Sequence, residues 1–255
     1  MKKFLSFITV AALLAAGFTS CNKDDGNDDP IVVEASKIKT LGVNYGDGTE
    51  GYEFVYDNND RVMKIYNSWE GEVVDTIKYD YSVSGKLTIT KEGNATVYEV
   101  NAQGLVTKEI WDETSYASYT YSADGYLTGI SEFWDGADHK KYDVEVTSNN
   151  IMKHTRYDDD GVANRIKTFT YTTGDNKSEL HQANAVDSNW KTIGNLFGKP
   201  STKLVDFLKY WEPGDEANTG TTTITYTFDT KNRVATMTRA GDGWQEIFTY
   251  TYYED

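Results

Sequence analysis

One short pattern recurs along most of this chain: an apolar or aromatic pair at positions i and i+2, a polar turn, and then an aliphatic residue. Eight copies can be read, with pairs Phe54/Tyr56, Tyr79/Tyr81, Tyr98/Val100, Tyr119/Tyr121, Val144/Val146, Phe169/Tyr171, Tyr226/Phe228 and Tyr250/Tyr252. In the first seven copies the pair is followed at once by Asp57, Ser82, Asn101, Ser122, Thr147, Thr172 or Asp229, whose side chains can bond back to nearby backbone and start a turn. Four positions after the pair stands Asp60, Gly85, Gly104, Gly125, Asn150, Asp175 or Asn232, where Gly and Asn tolerate the left-handed conformation that closes a hairpin. Two residues later Val62, Leu87, Val106, Leu127, Met152 and Val234 restart the apolar alternation, with Lys177 the exception. Each unit therefore reads as a strand, a tight turn and a return strand.

Copies are 19 to 25 residues apart except for one gap of 57 between Tyr171 and Phe228. Such uneven spacing argues against a solenoid and suits an antiparallel meander, where only the tight turns fix register. The gap defines an interrupting segment at about 172–222. Within it Val205–Trp211 has the pattern of a further strand, ended by Glu212-Pro213-Gly214-Asp215, and Asn189–Phe197 reads as a short helix or packed loop. Pro30, Pro200 and Pro213 all fall outside the proposed strands. A sheet with one apolar face must bury it, and no amphipathic helix of useful length is available to cover it. The expected fold is all-β, an antiparallel hairpin-repeat meander over residues 36–255 that curls into a flattened or partly closed barrel and is soluble. About 15 strands in a round barrel would leave an interior too wide for strand side chains to fill, so either the barrel is flattened or its interior holds water.

The beginning of the chain follows different rules. Lys2 and Lys3 precede an uncharged apolar run from Phe4 to Phe18, and small residues lead to Cys21, the layout of a secretory signal over residues 1–20. The run is too short to span a bilayer. Phe18-Thr19-Ser20-Cys21 resembles a bacterial lipobox, with Phe18 where Leu is usual, and this resemblance implies diacylation of Cys21 and its exposure as the new N-terminus. Cys21 is the only cysteine, so no internal disulfide competes for it. Residues 21–35 read as the acylated cysteine and a flexible acidic tether. Lys23-Asp24-Asp25 within it resembles the export signal that carries Bacteroidota lipoproteins to the outer face of the outer membrane. Loss of residues 1–20 lowers the formal charge from −15 to −17, a surface that repels nucleic acid. The expected location is thus the outer membrane, facing the cell exterior, with the lipid as the only membrane attachment.

The Tyr-x-Tyr-[Asp/Ser]-x-x-Gly-x-Leu units resemble the YD-type repeats of large bacterial shell proteins. Together with the lipobox and the interrupting stretch from His181 to Leu204, the chain resembles a Bacteroidota lipoprotein family of unknown function described as having a porin-like fold. The resemblance implies a curved or closed antiparallel sheet over nearly the whole chain behind Cys21, and it carries over no catalytic or binding residue. A membrane-spanning barrel is disfavoured, because many proposed strands run seven to nine residues and their alternate face carries Lys78, Asp80, Thr225, Thr249 and Thr251.

Several return strands end in an aromatic beside an acidic turn, which singles out Trp69, Trp111, Trp134, Tyr157 and Trp244 as a candidate ligand-binding rim. Aromatic rings stack on the apolar faces of sugars while carboxylates accept hydroxyl protons, so such a rim suits glycans. The competing reading is that these rings pack between hairpins. Asp57–Asp60 and Asp158–Asp160 offer oxygen ligands without calcium-loop spacing and read as solvated turns, so no metal and no cofactor is expected. His139, His154 and His181 lack any ligand spacing, and no nucleophile elbow occurs. Asp75-Thr76-Ile77 resembles a short O-glycosylation site of Bacteroidota exported proteins. The first functional expectation is a non-enzymatic surface module for a glycan or envelope component. The alternatives are a structural or assembly lipoprotein on an outer-membrane protein partner, and a hydrolase with paired carboxylates.

Overall fold

The computed structural model describes residues 37–183, 185 and 194–254. Cys21, the signal and tether segments, and most of the helix or loop expected at Asn189–Phe197 lie outside the described residues. The strands are β1 (Ile38–Asn44), β2 (Thr49–Tyr56), β3 (Val62–Trp69), β4 (Glu72–Asp80), β5 (Lys86–Lys91), β6 (Asn94–Val100), β7 (Val106–Ile110) and β8 (Tyr116–Tyr121). They continue as β9 (Leu127–Trp134), β10 (Ala137–Thr147), β11 (Asn150–Tyr157), β12 (Ala163–Asp175), β13 (Lys203–Glu212), β14 (Asp215–Phe228), β15 (Val234–Gly241) and β16 (Trp244–Tyr252). Each pairs antiparallel with its neighbours in sequence, and β1 pairs with β16, closing a sixteen-stranded barrel. Closure leaves no sheet edge unpaired. At the seam Val43 stands opposite Phe248, and the Thr40 and Thr251 hydroxyls meet at 2.6 Å.

The repeat turns have the expected chemistry. Asp57 Oδ1 accepts from the backbone N–H of Asn59 and Arg61, and Asp229 Oδ1 accepts from those of Lys231 and Arg233. Asn101 does the same for Gln103 and Leu105. Asp60 and Asn232 take positive φ, at 64° and 61°. The β10–β11 turn differs from the pattern: Ser148 and Asn149 occupy the left-handed region at 48° and 62°, and Asn150 already opens β11. The interrupting segment is also shorter than its sequence outline, since 172–175 complete β12 while 203–222 form β13 and half of β14. The loop proper is residues 176–202.

Why the second pair member is so often tyrosine becomes clear from the register. Its hydroxyl donates to a backbone carbonyl at the start of an earlier return strand: Tyr56 to Ile38 at 2.9 Å, Tyr121 to Val106 at 2.6 Å and Tyr252 to Val234 at 2.7 Å. Tyr171 bonds Ile151 in the same way, and in the Tyr226/Phe228 copy it is the first member, Tyr226, that bonds Val205 O. Burial pushes the Tyr171 and Tyr252 phenols up to about 12, so they stay protonated donors.

The apolar alternate residues of all the hairpins join a single core that includes Val43, Phe54, Ile65, Ile77, Leu127 and Val205. A barrel this wide needs filling beyond its own walls, and the 176–202 loop supplies it. Phe197 sits with its ring centroid 6.2 Å from that of Tyr98 and 5.1 Å from that of Tyr119. The loop also satisfies backbone groups around the wall. Leu196 O accepts from Val106 N, Ser201 Oγ from Ile151 N, Gln182 Oε1 from Val205 N and Ser178 Oγ from Val234 N, all at 2.8–3.0 Å. The loop is therefore a plug across one end, held to β7, β11, β13 and β15. Outward positions carry Lys39, Glu53, Lys78, Glu145, Thr225 and Thr249, which are exposed. This polarity, apolar within and charged without, is the reverse of a membrane-spanning barrel, where a lipid-facing Lys at the midplane costs about 2–4 kcal/mol.

Candidate functional site

Alternating strand direction sorts the connections into two sets. The repeat turns and the plug share one end, and the turns after β1, β3, β5, β7, β9, β11, β13 and β15 share the other. Trp69, Trp134 and Tyr157 end strands and Trp244 begins one at that second rim, and Trp111 directly follows β7 there. Trp69, Trp111 and Trp244 are exposed at 44%, 46% and 39%, so rim packing does not consume them. Trp134 is half-buried, its ring stacked on His139 with centroids 3.8 Å apart. Tyr157 is engaged differently: its hydroxyl donates to Asp143 Oδ2 at 2.6 Å and its ring carries the Lys140 ammonium, which places it in a side-chain cluster of its own. The five residues are spread around the circumference.

Of these, Trp244 lines a cleft of about 660 Å³ at this rim, together with Arg165, Tyr210, Glu212, Thr219 and Asp242. Two glycines shape it. An ideal Cβ on Gly220 would lie 2.0 Å from the Tyr210 ring, and one on Gly241 would lie 2.3 Å from Trp244 Nε1. Both glycines are in strands, with Gly220 directly opposite Tyr210 and Gly241 directly opposite Trp244. With no side chain between them, each ring lies flat on the neighbouring strand. The result is two pre-set aromatic surfaces beside carboxylates and hydroxyls. Arg165, Tyr210 and Glu212 carry no site signal in a single sequence, whereas Asp242 belongs to the acidic turn beside Trp244 that the aromatic-acidic pattern marks. Gly220 and Gly241 inside strand-like stretches are the one hint of close approach.

Several other acidic groups directed toward this end are tied down, while Asp75, opposite Asn67, has its buried Oδ2 without a hydrogen-bond partner among the described residues. Glu50 accepts from Asn67 Nδ2 at 3.0 Å and from the Tyr45 hydroxyl at 3.1 Å. Glu109 accepts from the Tyr98 and Tyr119 hydroxyls at 3.1 and 2.8 Å. Lys141 bridges Glu132 and Asp159, and Arg239 pairs with Glu246 at 3.5 Å. Of the turns considered for calcium, Asp57 holds the Arg61 guanidinium, which keeps its carboxyl below the usual range. Among the described residues no cluster of three or more His, Cys, Asp or Glu could hold a metal.

A second cleft, about 800 Å³, lies at the opposite end between the repeat turns and the plug residues Gly194–Leu196 and Lys199. Its aromatic, Tyr81, has the Arg61 guanidinium 4.3 Å from the ring centroid, so that ring face is already covered. The rim cleft is the better candidate site.

No family model matches the chain, and no curated protein matches it. Among solved structures it is similar to a porin-like protein from Bacteroides uniformis, with TM-score 0.68 and 17% identity, covering 86% of this chain and 99% of that one. It is also similar to a porin-like protein from Bacteroides vulgatus, with TM-score 0.58 and 10% identity, covering 86% of this chain and 100% of that one. At these identities the likeness is one of fold, and this chain has the porin-like, all-β barrel architecture.

Proposed function

We propose that this chain is an outer-membrane lipoprotein, acylated at Cys21 and facing the cell exterior, whose barrel is a non-enzymatic glycan-binding module with its site in the rim cleft. The observation that carries the reading is the pair of rings, Tyr210 and Trp244, laid flat over Gly220 and Gly241 next to Arg165, Glu212 and Asp242. Stacking surfaces flanked by hydrogen-bonding groups match the two faces of a sugar. Four inward carboxylates, Glu50, Glu109, Glu132 and Glu246, are each held by a tyrosine, an amide or a cation, which favours binding over acid-base chemistry at those four; Asp75 is the inward acid with an unpartnered oxygen. The start of β1 lies at the plugged end of the barrel, opposite the rim cleft.

A glycan array probed with the full chain, followed by titration calorimetry on the hits, tests this. Micromolar-to-millimolar binding that falls at least tenfold in Trp244→Ala, with melting temperature unchanged, is the expected result. An empty array, or hits indifferent to Trp244, would sink the reading.

A further inference from the structure

Arg156 and Arg165 are direct cross-strand partners on β11 and β12. Alternation puts them on the inner face, with buried His154 two residues before Arg156 and Phe169 four residues after Arg165. Like charges placed directly opposite destabilise an antiparallel pair, and this chain, with 40 acidic and 25 basic side chains, has acids to spare. Yet among the described residues neither arginine has a carboxylate within 4.0 Å. Arg156 Nε donates to the Asn164 amide oxygen at 2.9 Å, and the Arg165 guanidinium stands 5.9 Å from the centre of the Tyr210 ring. The other inward cations described above, Lys141 and Arg239, each have an acid partner. Two adjacent arginines thus have no carboxylate in contact, and Arg165, at the aromatic surface, shares its cleft with Glu212, Asp215 and Asp242 without pairing to any of them, which leaves both guanidinium groups open to an anionic ligand.

We propose that Arg156 and Arg165 form a carboxylate subsite of the rim cleft and that its ligand is an acidic oligosaccharide of the uronic-acid type. This rests on the glycan reading above. The planar guanidinium fork matches a carboxylate bidentately, while Tyr210 and Trp244 take the sugar faces. Glu212, Asp215 and Asp242 line the same cleft. They accept sugar hydroxyl protons and repel a densely charged polymer, which narrows the ligand to spaced carboxylates and disfavours sulfated chains.

The test is titration of the full chain with uronic-acid oligosaccharides from an acidic glycan panel and with their methyl esters, which keep the sugar and remove the charge. Esterification should weaken binding at least tenfold. Arg165→Gln and Arg156→Gln should each weaken binding of the acid at least fivefold more than binding of its methyl ester, with the melting temperature unchanged. Equal binding of acid and ester, or equal losses for both in the arginine variants, overturns the carboxylate subsite and leaves the glycan reading standing. Absence of binding to every acidic and neutral glycan overturns both.

Discussion

Single residues in this barrel carry two kinds of work. The repeated tyrosines are visible in the sequence, but their role is not: Tyr121 and Tyr252 reach carbonyls 15 and 18 residues upstream, a contact that exists only once register is set. Buried histidines are the counterpart, because nothing in the sequence around His154 marks it as interior. It is 2% exposed, and burial pushes its pKa down to about 3, with His181 pushed to about 4. Both are neutral in the fold, whereas an unfolded histidine titrates near 6.5. The unfolded chain therefore binds more protons below about pH 6.5, and stability falls with decreasing pH from there toward the folded values. Each group contributes a slope of ~1.4 kcal/mol per pH unit within its window. Denaturant melts between pH 7 and 4.5, above the range where the depressed carboxylates of Asp57 and Asp229 titrate, should show this slope in the parent and a flatter profile in His154→Gln/His181→Gln. An unchanged profile in the double variant would show that the histidines are not its source.

At the scale of elements, the hairpin unit was legible from the period-2 alternation and the turn residues; about 15 strands were expected and sixteen form, the β10–β11 turn differs in detail, and Thr172–Asp175, which the pattern reads as a turn, instead completes β12. The rim was legible in part. An aromatic-acidic pattern at return-strand ends locates Trp69, Trp111, Trp134 and Trp244 on one end, because antiparallel order puts alternate turns together. Tyr210 escaped the pattern, since its importance comes from Gly220 opposite it on another strand. Gly220→Ala should displace the Tyr210 ring, whose far end is free to move, with a stability change within about 1 kcal/mol. Titration of any glycan bound by the parent should then show affinity reduced at least fivefold at a melting temperature within a few degrees. Full affinity in this variant would mean the ring is not part of the site.

For the whole molecule, the plug decides what the barrel is. Sixteen strands enclose more space than their own side chains fill, and the 176–202 loop brings Phe197, 1% exposed, into that space. Phe197→Ala should cost about 3–5 kcal/mol, read as a lower urea midpoint with an unchanged slope; a loss under 1 kcal/mol would mean the core does not depend on the plug. The outer face carries exposed Lys39, Glu53, Lys78 and Glu145, while the inner face joins one apolar core with charged groups toward the rim. By itself the sequence determined the all-β class, the hairpin unit, its turn chemistry and the break near residue 172, because these rest on interactions between residues close in the chain. Closure of β1 on β16, the return of the loop as a plug, the tyrosine-to-carbonyl bonds, the pairing of Arg156 with Arg165 and the meeting of Arg165, Tyr210 and Trp244 were decided only by tertiary structure. Each depends on which distant strands become neighbours, and the period-2 pattern that makes a strand does not name its partner.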